Sequence, residues 1–315
     1  MKKLLLTRSF PEATIAAAQD RFAVTIRDRT DGLSVEEAAQ ALTDYDAIMC
    51  TLGDSFSDMA FATPDKRCGM IGSFGVGYNH IDIAAARAAG IKVSNTPDVV
   101  TDATADIALT LILMACRRAG EGERLVRAGK WTGWHPTQML GQHVTGKRLG
   151  IIGMGRIGQA VARRAHFGFD MKAIYFNRSE KSVDMPARQV DSLHSLMSQA
   201  DVIVVTVPGG GSNTHLVDAE ALAQMDDDAV FVNVARGDVV DEDALIAELQ
   251  SGRISAGLDV YAKEPMVPDT LKALENVVLL PHLGTAALEV REQMGQMALD
   301  NIIAWDEGRP LPQGL

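Results

Sequence analysis

Three side chains of complementary chemistry follow short apolar runs in the last third of this 315-residue chain. VFVNVA runs into Arg236-Gly237, ISAGLDV carries Asp259 near its end with Glu264 five residues on, and VVLLP runs straight into His282. Ligands of open parallel sheets bind beyond the carboxyl ends of the strands, which is where these residues fall. Each alone is ordinary: an arginine is usually a surface charge, a glutamate a solvated one, and a single histidine a structural hydrogen-bonder. Together they supply a bidentate cation for a carboxylate and a proton for a carbonyl oxygen, the groups that reduction of a 2-oxo acid beside a nicotinamide requires. In that reading Arg236 holds the substrate carboxylate and polarises the carbonyl, and His282 is the general acid. Glu264 favours the imidazolium and orients the ring.

A hydride donor needs its own site, and Gly153-Met154-Gly155-Arg156-Ile157-Gly158 has the form GxGxxG. The motif is weak evidence alone, but here it lies between the apolar LGII and the helix-like GQAVARRAHFG, with a second apolar run, KAIYFN, at the expected distance. Gly153 suits the tight turn, Gly155 lets a pyrophosphate approach the backbone, and Gly158 allows close helix packing. The residue that reads the adenosine ribose should follow KAIYFN, and 24 residues after Gly153 the chain reads Asn177-Arg178-Ser179. An acidic residue there would bind a free 2′-hydroxyl and repel a 2′-phosphate, whereas Arg178 can pair with that phosphate and Asn177 and Ser179 can donate to it. NADP(H) is therefore expected in preference to NAD(H), which remains possible.

The elements that position these residues read as α/β. Apolar runs rich in Val, Ile and Leu recur between amphipathic stretches, and their continuous hydrophobicity indicates parallel strands covered on both faces. KKLLLT, FAVTIRD, DAIMC, GMIGSF and IKVSN form one small set, and LGIIG, KAIYFN, DVIVVTVP, AVFVNVA, ISAGLDV and VVLLPH a second, larger one. Between them TDATADIALTLILMACRRAGEGERLVRAG reads as one long helix that Thr101 and Asp102 can cap. A last helix, AALEVREQMGQMALDNIIAWDEG, can return to the first domain. The expected architecture is two doubly wound parallel-sheet domains: a smaller, flavodoxin-like substrate domain over 1–99 and 287–315, and a Rossmann cofactor domain over 100–286.

Composition narrows the function classes. With 47% hydrophobic and 23% charged residues, the chain has globular proportions. A net charge of −11 leaves no basic surface to displace counterions from a nucleic acid. Cys50, Cys68 and Cys116 lack CxxC spacing and read as buried apolar residues of a reducing compartment. The N-terminal MKKLLLT is far too short for a signal peptide, and Ile107 to Cys116 has about half the length needed to cross a bilayer. A soluble cytoplasmic protein without membrane or nucleic-acid partners is expected. Ile71 occupies the first glycine position of a GxSxG motif at Ser73, and His135 and His143 lack zinc-ligand spacing, so a serine hydrolase and a metalloenzyme are rejected.

Six ordered motifs spread along the chain, GVGYNHIDI (75–83), NTPDVVTDATAD (95–106), LGIIGMGRIGQAVA (149–162), NVARGDVVDEDAL (233–245), GLDVYAKEP (257–265) and PHLGTA (281–286), resemble signatures of the D-isomer-specific 2-hydroxyacid dehydrogenase family. The resemblance implies that Arg236, Glu264 and His282 are the catalytic triad. It further implies that Leu52 and the backbone of Val76 and Gly77 help bind substrate, and that Thr104, Met154 to Ile157, Pro208, Thr214, Val234, Ala235, Asp259 and Gly284 line the cofactor, Asp259 near the carboxamide. Family members are usually dimers joined through the cofactor domains, and the helix after Thr101 with the segment carrying Trp131 and Trp134 would form that contact.

KWTGWHPTQMLG, FNRS and VPGGGSNTHLVD are most similar to the glyoxylate and hydroxypyruvate reductase branch. There the second tryptophan, here Trp134, either reaches the neighbouring subunit's substrate site or packs within the interface. Glu264 stands where formate dehydrogenases carry Gln, which disfavours formate. The expected activity is NADPH-dependent reduction of glyoxylate and hydroxypyruvate. The alternatives are a reductase of bulkier 2-oxo acids such as 2-ketogluconate or aryl pyruvates, and a non-enzymatic dinucleotide sensor of the kind seen in C-terminal-binding-protein corepressors.

Overall fold

Apolar runs of four residues leave no polar face to present to water, so strands built from them must be covered on both sides. The computed structural model describes residues 1–315, and the chain divides into two compact units, 1–100 with 286–315 and 101–285. The first unit begins with β1 (Lys3–Leu6), α1 (Glu12–Gln19), β2 (Ala23–Ile26), α2 (Val35–Asp44), β3 (Ala47–Cys50), α3 (Asp58–Phe61), β4 (Met70–Ser73), α4 (Ile83–Ala88) and β5 (Lys92–Ser94). Its sheet is parallel throughout, in the order β2-β1-β3-β4-β5, with Leu4 opposite Ala47 and Ile48 opposite Ile71. Every residue of β3 and β4 is buried, while β2 at the edge has no buried residue. The start of α2 is written in its sequence: Ser34 Oγ accepts from Glu37 N at 3.2 Å and Glu37 Oε2 accepts from Ser34 N at 2.9 Å, a reciprocal cap.

The second unit contains α5 (Thr101–Cys116), α6 (Ala119–Arg127), β6 (Arg148–Ile152), α7 (Arg156–Phe169), β7 (Lys172–Phe176), β8 (Ala187–Gln189), α8 (Leu193–Met197), β9 (Val202–Val205), α9 (Ala219–Ala223), β10 (Val230–Asn233), α10 (Glu242–Gln250), β11 (Ser255–Leu258), α11 (Asp269–Lys272) and β12 (Val277–Leu279). Its seven parallel strands are ordered β12-β11-β10-β9-β6-β7-β8. β6 pairs with β7 on one side and β9 on the other, so the winding reverses there, and the crevice beyond the carboxyl ends of β6 and β9 is the place such sheets offer a dinucleotide. The chain then returns to the first unit as α12 (Leu288–Asp306), which packs on β4 and α1. Leu299 and Ile302 are fully buried there with Leu4 and Met70, each contributing about 2 kcal/mol of apolar burial.

Three details depart from the sequence reading. The single long helix after Thr101 is two, because Arg118 adopts a left-handed φ of +53° and the N–H of Gln142 takes the Cys116 carbonyl at 2.7 Å. Asp102 pairs with Arg164 of α7 at 2.8 Å, which also holds Asp106 at 2.8 Å, so that carboxylate ties two helices together. β8 is an additional strand, three residues long on the outer edge, too short to show a pattern. Cys50, Cys68 and Cys116 are all buried with free thiols, and no helix is long and apolar enough to cross a membrane.

Candidate active site

The turn between β6 and α7 is held by its glycines. Gly153 has a φ of +98°, donates its N–H to the Phe176 carbonyl at 2.9 Å, and accepts from Thr206 Oγ1 at 2.6 Å. A Cβ on Gly158 would lie 2.3 Å from the Gly153 oxygen, whereas one on Gly155 would meet nothing within 4 Å. The first and last glycines are thus demanded by the fold, and the middle one leaves bare backbone facing open space. No side chain caps the start of α7, so its first N–H groups are available to an anion. These residues fit a pyrophosphate. Met154 offers only its backbone, because its side chain is fully buried in the core, while Ile157 is half-buried and Arg156 exposed.

Beyond β7, Asn177 Nδ2 donates to the Ser179 carbonyl at 2.7 Å, and Gln189 Nε2 of the edge strand donates to the Asn177 carbonyl at 2.7 Å. Arg178 stands exposed at the tip of this braced turn, and no hydrogen bond or ion pair within the chain engages its guanidinium. Ser179 is also exposed.

Arg236, Glu264 and His282 come together at the carboxyl edge of β10, β11 and β12. Asn233, the last residue of β10, folds the turn that presents the arginine: its Oδ1 accepts from Ala235 N at 3.0 Å and its Nδ2 donates to the Arg236 carbonyl at 3.0 Å. A Cβ on Gly237 would sit 1.9 Å from the Tyr261 carbonyl carbon, so only glycine lets this turn lie against the turn that carries Glu264. Arg236 Nη1 donates to the Ala235 carbonyl at 2.6 Å, while Nε is buried without a partner. Burial lowers the pKa of that guanidinium, opposed by the charges of Glu264 and Asp238.

Glu264 accepts from Tyr261 N at 3.1 Å through Oε1, and its Oε2 lies 2.7 Å from His282 Nδ1. Burial pushes the carboxyl up, but the hydrogen bond and charge of His282, the Tyr261 N–H and the Arg236 charge outweigh it and hold the group below the usual carboxylate range. With Nδ1 engaged, Nε2 is the nitrogen of His282 left for other chemistry. The imidazole is carried on a strained backbone: His282 has a φ of +54° and donates its N–H to the Asp259 carbonyl at 3.0 Å. Asp259 Oδ1 and Oδ2 accept from Leu283 N at 2.6 Å and Gly284 N at 2.8 Å, and burial raises the pKa of this carboxyl despite those bonds. Asp259 therefore clamps the segment that follows the histidine, a function beyond any contact with a carboxamide. Thr104 of α5 is beside it, since a Cβ on Gly284 would lie 3.3 Å from Asp259 Oδ2 and 3.5 Å from Thr104 Oγ1.

Val234 and Ala235 are buried at the end of β10, and Pro208 and Thr214 are exposed on the loop after β9. Leu52, Val76 and Gly77 belong to the first unit, where Leu52 is half-buried and Val76 exposed beyond the carboxyl ends of β3 and β4. Asn95, which the sequence reading did not assign, donates through Nδ2 to the Val76 carbonyl at 2.8 Å and fixes that loop. Trp134 is 79% exposed. Asn233, Thr206 and Asn95 act through the backbone, and only Asn233 and Asn95 lie inside quoted motifs.

A Rossmann sheet with an uncapped, glycine-lined turn at its switch point defines a dinucleotide-binding protein, and an imidazole–carboxylate pair beside a half-buried guanidinium makes it an oxidoreductase candidate. Residues 109–284 match the family described as D-isomer specific 2-hydroxyacid dehydrogenase, NAD binding domain. The chain is 40% identical to a glyoxylate reductase of Thermococcus kodakarensis, covering 98% of this chain and 95% of that one. It is 36% identical to a glycerate dehydrogenase of Hyphomicrobium methylovorum, covering 100% and 99%. The structure of an NADPH-dependent glyoxylate/hydroxypyruvate reductase from Sinorhizobium meliloti, in complex with NADP and malonate, superposes with a TM-score of 0.87 at 31% identity, covering 100% and 96%. This chain belongs to the D-isomer specific 2-hydroxyacid dehydrogenase family. It is an NAD(P)-dependent oxidoreductase, and its cofactor is a nicotinamide dinucleotide.

Proposed function

We propose that this protein reduces glyoxylate and hydroxypyruvate to the corresponding 2-hydroxy acids, with NADPH as the preferred reductant. The observation that carries the reading is the buried Arg236 Nε, a charged donor with no partner in the chain while Nη1 is already taken. A desolvated guanidinium edge with an open N–H is built for a carboxylate. The bound dinucleotide supplies a hydride for the substrate's carbonyl carbon. Arg236 holds the carboxylate and polarises the carbonyl, and His282 delivers a proton from Nε2 to the developing alkoxide. Glu264, kept ionised by its low pKa, holds the ring by Nδ1 and stabilises the imidazolium before transfer.

NADPH is preferred because Arg178 is an exposed, unpaired cation at the ribose position and no acid follows β7 there. The small-substrate reading rests on the names of the relatives. Val126, Trp131, Trp134 and Leu140 are large apolar side chains exposed within 15 residues, which supports a homodimer through the cofactor domains, with Trp134 at the interface or at the partner's substrate site. The acidic charge and reduced cysteines agree with a cytoplasmic protein.

The test is a panel of initial rates, read as loss of reduced nicotinamide absorbance, with glyoxylate, hydroxypyruvate, pyruvate, phenylpyruvate and 2-ketogluconate, each with NADPH and with NADH. Fastest turnover of the first two with NADPH is expected. Higher kcat/KM for the bulky acids would move the assignment to the alternative reductase, and tight NADPH binding with no turnover on any of them would leave a sensor.

A further inference from the structure

The loop after β9 contains three consecutive glycines, Gly209 to Gly211, and it lies against Arg236. A Cβ built on Gly209 would fall 2.7 Å from Arg236 Cγ, 2.9 Å from Arg236 Cβ and 2.7 Å from Asp238 Oδ1, so the backbone of Gly209 touches the stem of the arginine. The neighbouring glycines are held by nothing comparable. Gly210 and Gly211 have φ values of +76° and +56°, and a Cβ on either would meet no atom within 4 Å. What fastens the loop is Asp238, two residues after the arginine. Its Oδ2 accepts the Gly210 N–H at 2.7 Å, its carbonyl accepts the His215 N–H at 2.8 Å, and Val217 N continues the seam to the Val239 carbonyl at 3.0 Å.

We infer that Asp238 is a positioning residue for the substrate carboxylate site: it docks the glycine loop onto Arg236, and the loop fixes the stem so that the open Nε edge keeps one direction. Bare backbone is the material that permits this, because any side chain at 209 would push the stem away. Gly210 and Gly211 reach the required left-handed conformations without a Cβ penalty; Asn213 Nδ2 ties the loop internally to the Pro208 carbonyl at 2.9 Å, and the carboxylate bond is the side-chain contact that docks it beside Arg236. The negative charge of Asp238 also supports the charged form of Arg236 against burial, but the anchor and the charge are separable. An amide in place of the carboxylate keeps an oxygen for Gly210 N–H and loses the charge.

This inference rests on the reading that Arg236 takes the carboxylate of a 2-oxo acid, so the experiment includes Arg236→Ala as its reference. Steady-state kcat and KM for glyoxylate at saturating NADPH, the NADPH dissociation constant from nicotinamide fluorescence, and the thermal transition are measured for Asp238→Ala, Asp238→Asn and Gly209→Ala. Asp238→Ala and Gly209→Ala should raise the glyoxylate KM by about 10- to 30-fold, with kcat changed much less and the NADPH constant within about twofold. Asp238→Asn should stay within about threefold of the native KM, a rescue that generalised unfolding would not give. If Arg236→Ala raises KM at least 100-fold while Asp238→Ala and Gly209→Ala both leave it within twofold, the positioning role is wrong and the carboxylate reading stands. If Arg236→Ala itself leaves KM unchanged, the carboxylate reading falls and takes this inference with it. Should Asp238→Ala fail to fold, Gly209→Ala decides, because its methyl group presses on both the Arg236 stem and Asp238 Oδ1 and so disturbs the same docking while the carboxylate itself is retained.

Discussion

Each unit places an arginine and a carboxylate beyond the carboxyl ends of its parallel strands, and the two pairs are bonded in opposite ways. In the first, Asp54 accepts from Thr7 Oγ1 at 2.6 Å, Arg8 Nη1 at 3.0 Å, Leu33 N at 2.9 Å and Thr51 N at 3.0 Å. Its carboxylate is wholly buried and has a donor for every site it can use. In the second, Glu264 divides its oxygens between Tyr261 and His282, Arg236 keeps a buried Nε with no partner, and His282 keeps a free Nε2. A saturated buried cluster selects one backbone geometry, here the loop that carries Leu52; a cluster with open donors has been left incomplete for a ligand to finish. Residue type alone does not separate the two roles, and the count of unmet bonds does.

The contrast can be broken by substitution. The largest effect should come from His282→Ala, which removes the proton donor: kcat for 2-oxo acid reduction should fall by roughly 10²- to 10⁴-fold with the thermal transition little changed. A loss below tenfold would mean another group protonates the product. Asp54→Ala should do the reverse, costing about 3–5 kcal/mol of stability in denaturant titration by removing the counter-charge of Arg8 and leaving Thr7 Oγ1 and two backbone donors unpaired, while protein that remains folded keeps its kcat. An unchanged transition would show that the saturated cluster is dispensable. Arg178 offers a third, exposed guanidinium for the same comparison, and Arg178→Ala should weaken NADPH binding by about 10- to 100-fold with NADH little affected. Equal loss for both cofactors would remove the ribose-phosphate argument.

The smallest effect is expected from Glu264→Gln, where the readout is a pH profile. The native carboxyl is held below the usual carboxylate range, so its ion pair with His282 survives as pH falls through that range and is lost only beneath it. The variant has no carboxyl to titrate at this position, so the acid limb of kcat/KM for reduction that follows protonation of Glu264 should disappear, with roughly tenfold less activity on the plateau. An acid limb that persists unchanged in the variant would show that protonation of Glu264 does not set it.

Much of this was legible in the residues. Runs such as DAIMC and DVIVVTVP became buried parallel strands because a chain covered on both faces has no use for alternation, and GxGxxG announced its turn because a Cβ on Gly158 is barred by the Gly153 oxygen of the same motif and one on Gly153 by Val207 and its own φ of +98°. The meeting of Glu264 with His282 followed from strand ends on one edge. What could not be read depends on contacts distant in sequence. The break at Arg118 arises where Gln142 reaches back to Cys116, Asn95 holds a carbonyl 19 residues away, and the Asp238 anchor reaches a loop 28 residues earlier. Met154 sits inside a recognised cofactor motif, yet its side chain is core.

The division of the chain has a consequence for how the molecule is made. Residues 101–285 are contiguous, but the first unit is split, and its β4 is covered by α12 from the other end of the sequence. During vectorial synthesis the dinucleotide unit can finish folding as soon as its last strand has emerged. The five-stranded sheet, whose strands precede that unit, completes the apolar cluster around Leu4 and Met70 only when α12 brings Ala298, Leu299 and Ile302, so this face keeps an exposed apolar patch longer during synthesis.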